Sequence, residues 1–417
     1  MSDEIKRVVV TGMGVMAPTG KTVEEYWENL VSGVSGIGKI TLCDASEFPN
    51  DIAGEVQDFD ASQFANAKET RRMARFSQMA VAAAATAIEN SGLNLSEENG
   101  ERLGVVMGNG NGGFPTTEEN AATLFDKGGM RMSPFFVPMI LPNMAAAQIS
   151  RIFGLQGYTN TVITACAAGN QAIGEAAEVI RRGAADVVLG GGCEAGISRL
   201  GLGGFHVIRA LSRFKGDPSQ ASRPFDAERD GFVPAEGAGV LVLESMEHAV
   251  NRGANVIAEI LGYGVSSDAF HAVQPDENGE GAARAIRFAL HDAGITPEDV
   301  DYINAHGTST PLNDASETKA IKKAFGEAAY TVPISSTKSM TGHALGGAGA
   351  IEAVAVVKTI ETGTIHPTIN LTNQDEECDL DFVPNQARRV DVTFALSNNF
   401  GFGGQNASIV FKNPLIK

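Results

Sequence analysis

Short runs of consecutive apolar, largely β-branched residues alternate along this chain with longer stretches in which apolar positions recur every three or four residues. The first kind predicts strands buried on both faces: 7–12 (RVVVTG), 102–108 (RLGVVMG), 161–164 (TVIT), 186–192 (DVVLGGG), 256–267 (VIAEILGYGVSS), 301–307 (DYINAHG) and 394–399 (FALSNN). One more strand, ASIVF, follows the glycine-rich stretch 397–408. The second kind predicts helices over 22–33, with an acidic first turn, over the alanine-rich 70–92, which ends in Gly, and over 279–294. At 296–300, TPEDV reads as a helix start, with Thr as N-cap and Pro at the first position. Strands alternating with helices predict an α/β protein whose parallel sheets are covered by helices.

An internal echo sharpens this picture. In ACAAGNQAIGEA, Gly169 and Glu175 stand three and nine residues after Cys166; in GHALGGAGAIEA, Gly346 and Glu352 stand three and nine after His343. Both segments follow a β-rich run and open an Ala/Gly-rich helix. This is either coincidence in a chain with 48 glycines or the trace of two similar halves. Two halves would meet near residue 255, after VLESMEHAVNRGA, giving units 1–255 and 256–417. No low-complexity linker lies between them, so they would share one core.

Charge and cysteines narrow the function classes. A net charge of −18 argues against nucleic acid and anionic membrane surfaces as general partners. An acidic partner would need a local basic patch. Cys43, Cys166, Cys193 and Cys378 show neither CxxC nor zinc spacing and read as free thiols of a reducing cytoplasm. The start, MSDEIKRVVVTG, lacks the apolar core of a signal peptide, and no charge-free run approaches the roughly 18 residues of a membrane helix.

Three positions carry candidate chemistry. Cys166 sits where a β-rich run turns into a helix, among Ala165, Ala167, Ala168 and Gly169. It is either a small buried hydrophobe or a nucleophile whose thiol is acidified by the helix N-terminus and whose neighbouring N–H groups bind an oxyanion. His306 ends a strand and enters a loop of hydroxyls, Thr308, Ser309 and Thr310. His343 lies at a second strand–loop–helix junction, with Lys338 before it and Glu352 after it. His206, His248, His271, His291 and His366 have weaker contexts and read mostly as surface residues. The glycines of TGMGVMAPTG and SNNFGFGGQNAS do not make a dinucleotide loop: the first has the wrong spacing and Pro18, and the second precedes a strand.

With TACAAG, RPFDAERDGFVPAEGAG (223–239), NAHGTSTPLND, SSTKSMTGHALGGAGAIEA and SNNFGFGGQN in view, the chain resembles, from about residue 6 to 412, the β-ketoacyl-[acyl-carrier-protein] synthases of the thiolase superfamily, the elongating synthase II type above all. The resemblance implies a five-layered αβαβα thiolase-like fold of two pseudo-repeated halves, usually a homodimer. It implies decarboxylative condensation of an acyl group with malonyl-[acyl-carrier protein], in the cytoplasm. No cofactor or metal would be tightly bound; phosphopantetheine would arrive on the acyl carrier protein. It places the nucleophile on Cys166, the catalytic histidines on His306 and His343, and the paired lysine and carboxylate on Lys338 and Glu352. Phe400 and Phe402 fall in the glycine-rich gate loop. The N–H groups of Phe402 and Cys166 would form the oxyanion hole, and Thr308 and Thr310 would hold the pantetheine arm.

The resemblance further implies an acyl pocket at Asn111, Phe136, Phe205 and Phe232, and a monovalent cation near Lys338 and Glu352 is compatible with it. Asn111 departs from the family's apolar or glycine residue, and a polar side chain there is costly unless it is hydrogen-bonded. Lys68, Arg71, Arg72 and Arg75 in KETRRMAR, with Lys127, Arg131 and Arg209, form the candidate carrier-protein patch. Two alternatives stand beside this reading. One is a stand-alone polyketide ketosynthase. The other is a silent partner subunit resembling a chain-length factor, which would have lost the cysteine. A thiolase would carry a second cysteine in the C-terminal loop, where this chain has SNNFGFGG.

Overall fold

The structure, a computed structural model, describes residues 5–416. Ten strands form its central sheet: β1 (Val8–Met16), β2 (Leu103–Gly108), β3 (Thr159–Val162), β4 (Val187–Glu194), β5 (Gly237–Ser245), β6 (Ala258–Ser267), β7 (Tyr302–Asn304), β8 (Ile334–Ser335), β9 (Phe394–Gly401) and β10 (Gln405–Lys412). Their lateral order is β8-β7-β9-β10-β6-β1-β5-β4-β2-β3. Reading outward from the central β6–β1 contact, each half has the same plan. Its first strand pairs antiparallel with its fifth, the fifth antiparallel with its fourth, and the fourth, second and third run parallel. Both first–fifth pairs carry a bulge, at Val10/Gly12 and at Val410/Phe411. The halves join where Val8–Val10 pairs antiparallel with Ala258–Ile260.

Helices cover the sheet in layers. Strands β1, β2, β4 and β5 are buried along their whole length, as continuous apolar runs require. Helix α1 (Arg75–Ser91) covers the outer face of the first half; α3 (Glu280–Ala293) and α4 (Pro311–Phe325) cover that of the second. Between the halves lie α2 (Ala168–Arg181) and α5 (Ala348–Thr362), each touching strands of both halves. This is the expected thiolase-like αβαβα arrangement.

Three sequence expectations change. The helix placed at 70–92 is two: Ala67–Thr70, capped by Asn66, and α1 from Arg75. Between them Met73 turns inward, and the Arg75 guanidinium is drawn to Glu236 at 2.6 Å. TPEDV makes one 3₁₀ turn, Pro297–Asp299, with a Thr296/Asp299 capping box, because β7 begins almost at once. The internal echo holds, but three residues out of register. The 3₁₀ turn Ala165–Ala167 before α2 answers to Leu345–Gly347 before α5, and the left-handed residues Ala165 (φ 50°) and Leu345 (φ 43°) also correspond. The spacing is 180 residues, so Cys166 corresponds to Gly346 and not to His343. Small residues repeat every three to four positions along a buried helix face, so a three-residue slip preserves most of the match.

Candidate functional site

Cys166 lies in the 3₁₀ turn that opens α2 and is buried. Its position depends on close backbone approaches on two sides. A Cβ on Gly401 would stand 2.5 Å from the Thr164 carbonyl oxygen and 3.0 Å from the Cys166 nitrogen. A Cβ on Gly169 would stand 2.7 Å from the Ala350 nitrogen, where α2 meets the start of α5. Gly169→Ala is therefore expected to destabilise the protein by about 2 kcal/mol through overpacking. A lowered denaturant midpoint at unchanged slope would read this out.

The histidines come from the second half. His306 leaves the end of β7, where the Glu317 carboxylate accepts from its N–H (2.8 Å) and from that of Gly307 (2.7 Å). His343 is held from the first half: its N–H donates to the Val233 carbonyl (2.8 Å), and the Phe232 ring packs edge-on to the imidazole with centroids 5.2 Å apart. The GFVP part of the 223–239 motif thus braces a histidine a hundred residues away. Cys166 Sγ and one ring nitrogen from each histidine all lie within 4.8 Å of one another, and the two imidazoles are perpendicular with centroids 5.3 Å apart.

Protonation follows from burial and hydrogen bonds. Burial, then the Lys338 ammonium, push both imidazoles well below the usual histidine range, so they are neutral at pH 7. The Asn399 amide nitrogen donates to Glu352 Oε2 at 2.8 Å, and a carboxylate can only accept. Its other hydrogen meets His306 Nδ1 at 3.2 Å, so Nδ1 is the acceptor and the His306 proton sits on Nε2. Lys338 Nζ contacts Glu352 Oε1 at 2.5 Å, with both side chains almost wholly buried. Lys338 therefore acts as a fixed positive charge under the histidines.

The thiol departs from expectation. The sequence pattern suggests acidification by the helix; instead burial pushes Cys166 up to about 12, with only a partial pull back from Lys338 and the N–H groups of Phe402 and Cys166. Desolvation of a thiolate in this closed site outweighs the helix end. The resting cysteine is a neutral thiol beside two neutral imidazoles. A ring nitrogen that holds no proton can take the thiol proton when attack begins. Two N–H groups, of Cys166 and Phe402, already point at the sulfur.

Two cavities meet at Cys166. The outer one, about 540 Å³, is lined by Cys166, His306, His343, Thr308, Thr310, Phe400, Phe402, Phe232 and Arg209. Thr308 and Thr310 share a hydroxyl–hydroxyl hydrogen bond of 2.9 Å there, and Thr310 also caps α4. The inner cavity, about 450 Å³, is lined by Cys166, Asn111, Thr164, Phe205, Leu345 and Phe402. Phe402 borders both. Phe136 lines neither; it lies in the partly exposed Phe136–Ile140 helix.

The basic residues separate in the same way. Lys68, Arg71, Arg72, Lys127, Arg131 and Arg209 are exposed, but only Arg209 reaches a cavity mouth. Arg75 is spent on Glu236 and is not part of any free patch. His366, expected at the surface, is fully buried and held neutral, its pKa lowered to about 4.

Sequence reasoning passed over Asn399, Glu317 and Glu194. Asn399 was visible inside SNNFGFGG, and Glu194 as the lone charge ending an apolar strand. The Glu194 carboxylate accepts from the N–H groups of Gly110 (2.9 Å), Asn111 and Gly346 (both 3.3 Å), and burial raises it to about 7.

Residues 5–249 match the family model for the β-ketoacyl synthase N-terminal domain, and 257–372 that for the C-terminal domain. The chain is 51% identical over 409 residues to 3-oxoacyl-[acyl-carrier-protein] synthase 2 of Synechocystis, covering 98% of each chain. It is 50% identical over 407 residues to the protein of the same name from Staphylococcus aureus, again over 98% of each. Among solved structures it resembles a β-ketoacyl synthase from Burkholderia phymatum (36% identity, TM-score 0.90, 98% and 99% of the chains covered). It also resembles a chain from a type II polyketide acyl-carrier protein in complex with its ketosynthase bound to the hexaketide (39% identity, TM-score 0.90, 98% and 99% covered).

Proposed function

This chain belongs to the β-ketoacyl synthase family and catalyses the condensation that lengthens a fatty acyl chain, and we propose that Cys166 holds the acyl group as a thioester while His306 and His343 stabilise the enolate of the malonyl partner. One observation carries the assignment: sulfur and both imidazoles converge within 4.8 Å at the meeting of two cavities.

In the first half-reaction the Cys166 sulfur attacks the acyl thioester and its proton passes to an imidazole. The N–H groups of Cys166 and Phe402 hold the oxyanion, and the carrier's thiol leaves with the proton returned. In the second, the malonyl thioester enters the outer cavity, where Thr308 and Thr310 hold the phosphopantetheine arm. Loss of CO₂ puts negative charge on the thioester oxygen. His306 Nε2–H donates to it, and His343 serves beside it. A neutral N–H stabilises the enolate without protonating its carbon, which is what the low imidazole pKa secures. The carbanion then attacks the acyl–Cys166 carbonyl, the C–S bond breaks, the departing thiolate takes a proton from solvent, and a 3-oxoacyl thioester leaves. Lys338, held on Glu352, takes no part in proton transfer; its charge adds to burial in keeping the imidazoles neutral.

The partner is an acyl carrier protein, and we place its docking on the exposed cations Lys68, Arg71, Arg72, Lys127, Arg131 and Arg209. We place the boundary between the halves near 255, within the 250–257 stretch between β5 and β6. A homodimer is supported by exposed, apolar Val137, Ile163 and Leu200 and by β3, an edge strand with Thr159 and Asn160 open to solvent. The cytoplasm suits four unpaired cysteines. No helix among the described residues is long and apolar enough to cross a membrane.

Incubation with acyl- and malonyl-carrier proteins tests the whole. Release of CO₂, a 3-oxoacyl carrier, and an acyl adduct mapping to the Cys166 peptide are expected. An adduct on another residue would overturn the assignment.

A further inference from the structure

Cys166, His306 and His343 offer one sulfur and two imidazole nitrogens, all within 4.8 Å of one another, at a cavity with room for a fourth ligand. That is the donor set of a zinc centre with one open position, and soft ligands of this kind select Zn²⁺ over Mg²⁺ or Ca²⁺. Small side-chain shifts would bring the three atoms onto the roughly 2.0–2.3 Å bonds such an ion makes. An ion there would occupy the sulfur and both imidazoles at once.

What stands against it is the place of one proton. A histidine that binds a metal turns a lone pair toward the ion and donates its other ring N–H to an acceptor. Here the far nitrogen of His306, Nδ1, meets a donor: the Asn399 amide N–H, at 3.2 Å. The proton therefore sits on Nε2, the nitrogen left to face the cavity, and His306 offers an ion no lone pair. Moving that proton to Nδ1 would set two hydrogens against each other beside a fully buried side chain.

Nor can the amide turn over. A flip would bring Asn399 Oδ1 against the Glu352 carboxylate, which now accepts from Nδ2 at 2.8 Å and is itself held by Lys338. Oδ1 lies instead, buried and without a partner, in the space that Gly349 leaves: a Cβ there would stand 2.5 Å from it. An unpaired buried carbonyl oxygen is costly, so stability alone does not account for an amide at this place.

We propose that Asn399 is a positioning residue that keeps the Cys166–His306–His343 set from becoming a zinc site, by fixing the His306 proton on the nitrogen that a metal would need. The proposal concerns what these atoms can coordinate, and it stands whether or not Cys166 carries an acyl group. Where zinc does bind, it replaces the thiol proton of Cys166, which is released to the buffer, and the His306 proton moves from Nε2 to Nδ1.

Zinc titration of the full-length protein against a chromophoric chelator tests this, with Mg²⁺ as the control ion and Cys166→Ala added in each background to isolate binding at this site. Wild type is expected to bind zinc no more tightly than its Cys166→Ala variant. Asn399→Asp replaces the donor by an acceptor, and Asn399→Ala leaves space for a water that can accept from Nδ1. Each should gain one Cys166-dependent zinc per chain, about 10–100-fold tighter than the residual binding of the wild type, with no matching gain for Mg²⁺. ¹⁵N NMR of histidine-labelled protein, with His306 identified by the signal lost in His306→Gln, should place the proton on Nε2 in the wild type and on Nδ1 in Asn399→Asp. A purely structural role for Asn399 would not move it. Cys166-dependent zinc in the wild type as tight as in the variants would overturn the proposal. So would a wild-type His306 proton on Nδ1, or folded variants that gain no zinc or gain Mg²⁺ equally. The two wild-type measurements use the unaltered protein, so they decide even where a variant fails to fold.

Discussion

Cys166→Ala is expected to abolish condensation, by about 10⁴-fold or more, while malonyl-carrier protein still loses CO₂ and becomes acetyl-carrier protein. The split follows from the site's construction. The sulfur comes from the turn before α2, in the first half of the chain; the two imidazoles come from β7 and the His343 loop, in the second. Removing Sγ takes away the acyl acceptor and leaves His306, His343 and Lys338 around the outer cavity. Decarboxylation then ends in protonation of the carbanion, since no acyl thioester is there to trap it. Parallel assays of CO₂ release and 3-oxoacyl product would check the separation. Loss of both activities in a folded variant would show that sulfur also helps the malonyl step.

The second large effect runs the other way. His306→Ala or His343→Ala should slow decarboxylation by about 10²–10³-fold, the usual cost of losing a preorganised oxyanion donor, while the Cys166 acyl adduct still forms, though more slowly. The pH profile adds a sign. Both imidazoles are held well below 6.5, so the neutral form persists as pH falls through the range where an exposed histidine would protonate. Decarboxylation by the wild type should therefore hold nearly constant from pH 7 to 6, and fall only when the pH passes through the depressed values. A midpoint near 6.5 would mean that burial and the Lys338 charge do not hold the imidazoles neutral.

Much of this was legible in the amino-acid order, and the reason is physical. Strands such as 102–108 and 186–192 are buried on both faces, so they stand out as unbroken apolar runs. Cys166 stands out because only small residues surround it. What escaped depends on contacts distant in sequence. Asn399 acquires its role by touching His306 and Glu352 at once, 93 and 47 residues away. Arg75 looked like one of a cationic run until Glu236 claimed it, 161 residues on. The thiol's acidity was misjudged because helix polarity can be read locally, whereas the desolvation that outweighs it is a property of the assembled site.

The match between the halves has a last consequence. Strand order and bulge recur in both halves, and the left-handed turn and central helix recur at the same 180-residue spacing, the mark of a repeated unit. Yet the position that answers to Cys166 is Gly346, where a Cβ would stand 2.4 Å from the Gly110 nitrogen. No side chain, and so no second nucleophile, fits at that place. The two halves therefore contribute differently: the sulfur comes from the first and both imidazoles from the second, so the proposed reaction needs the two together.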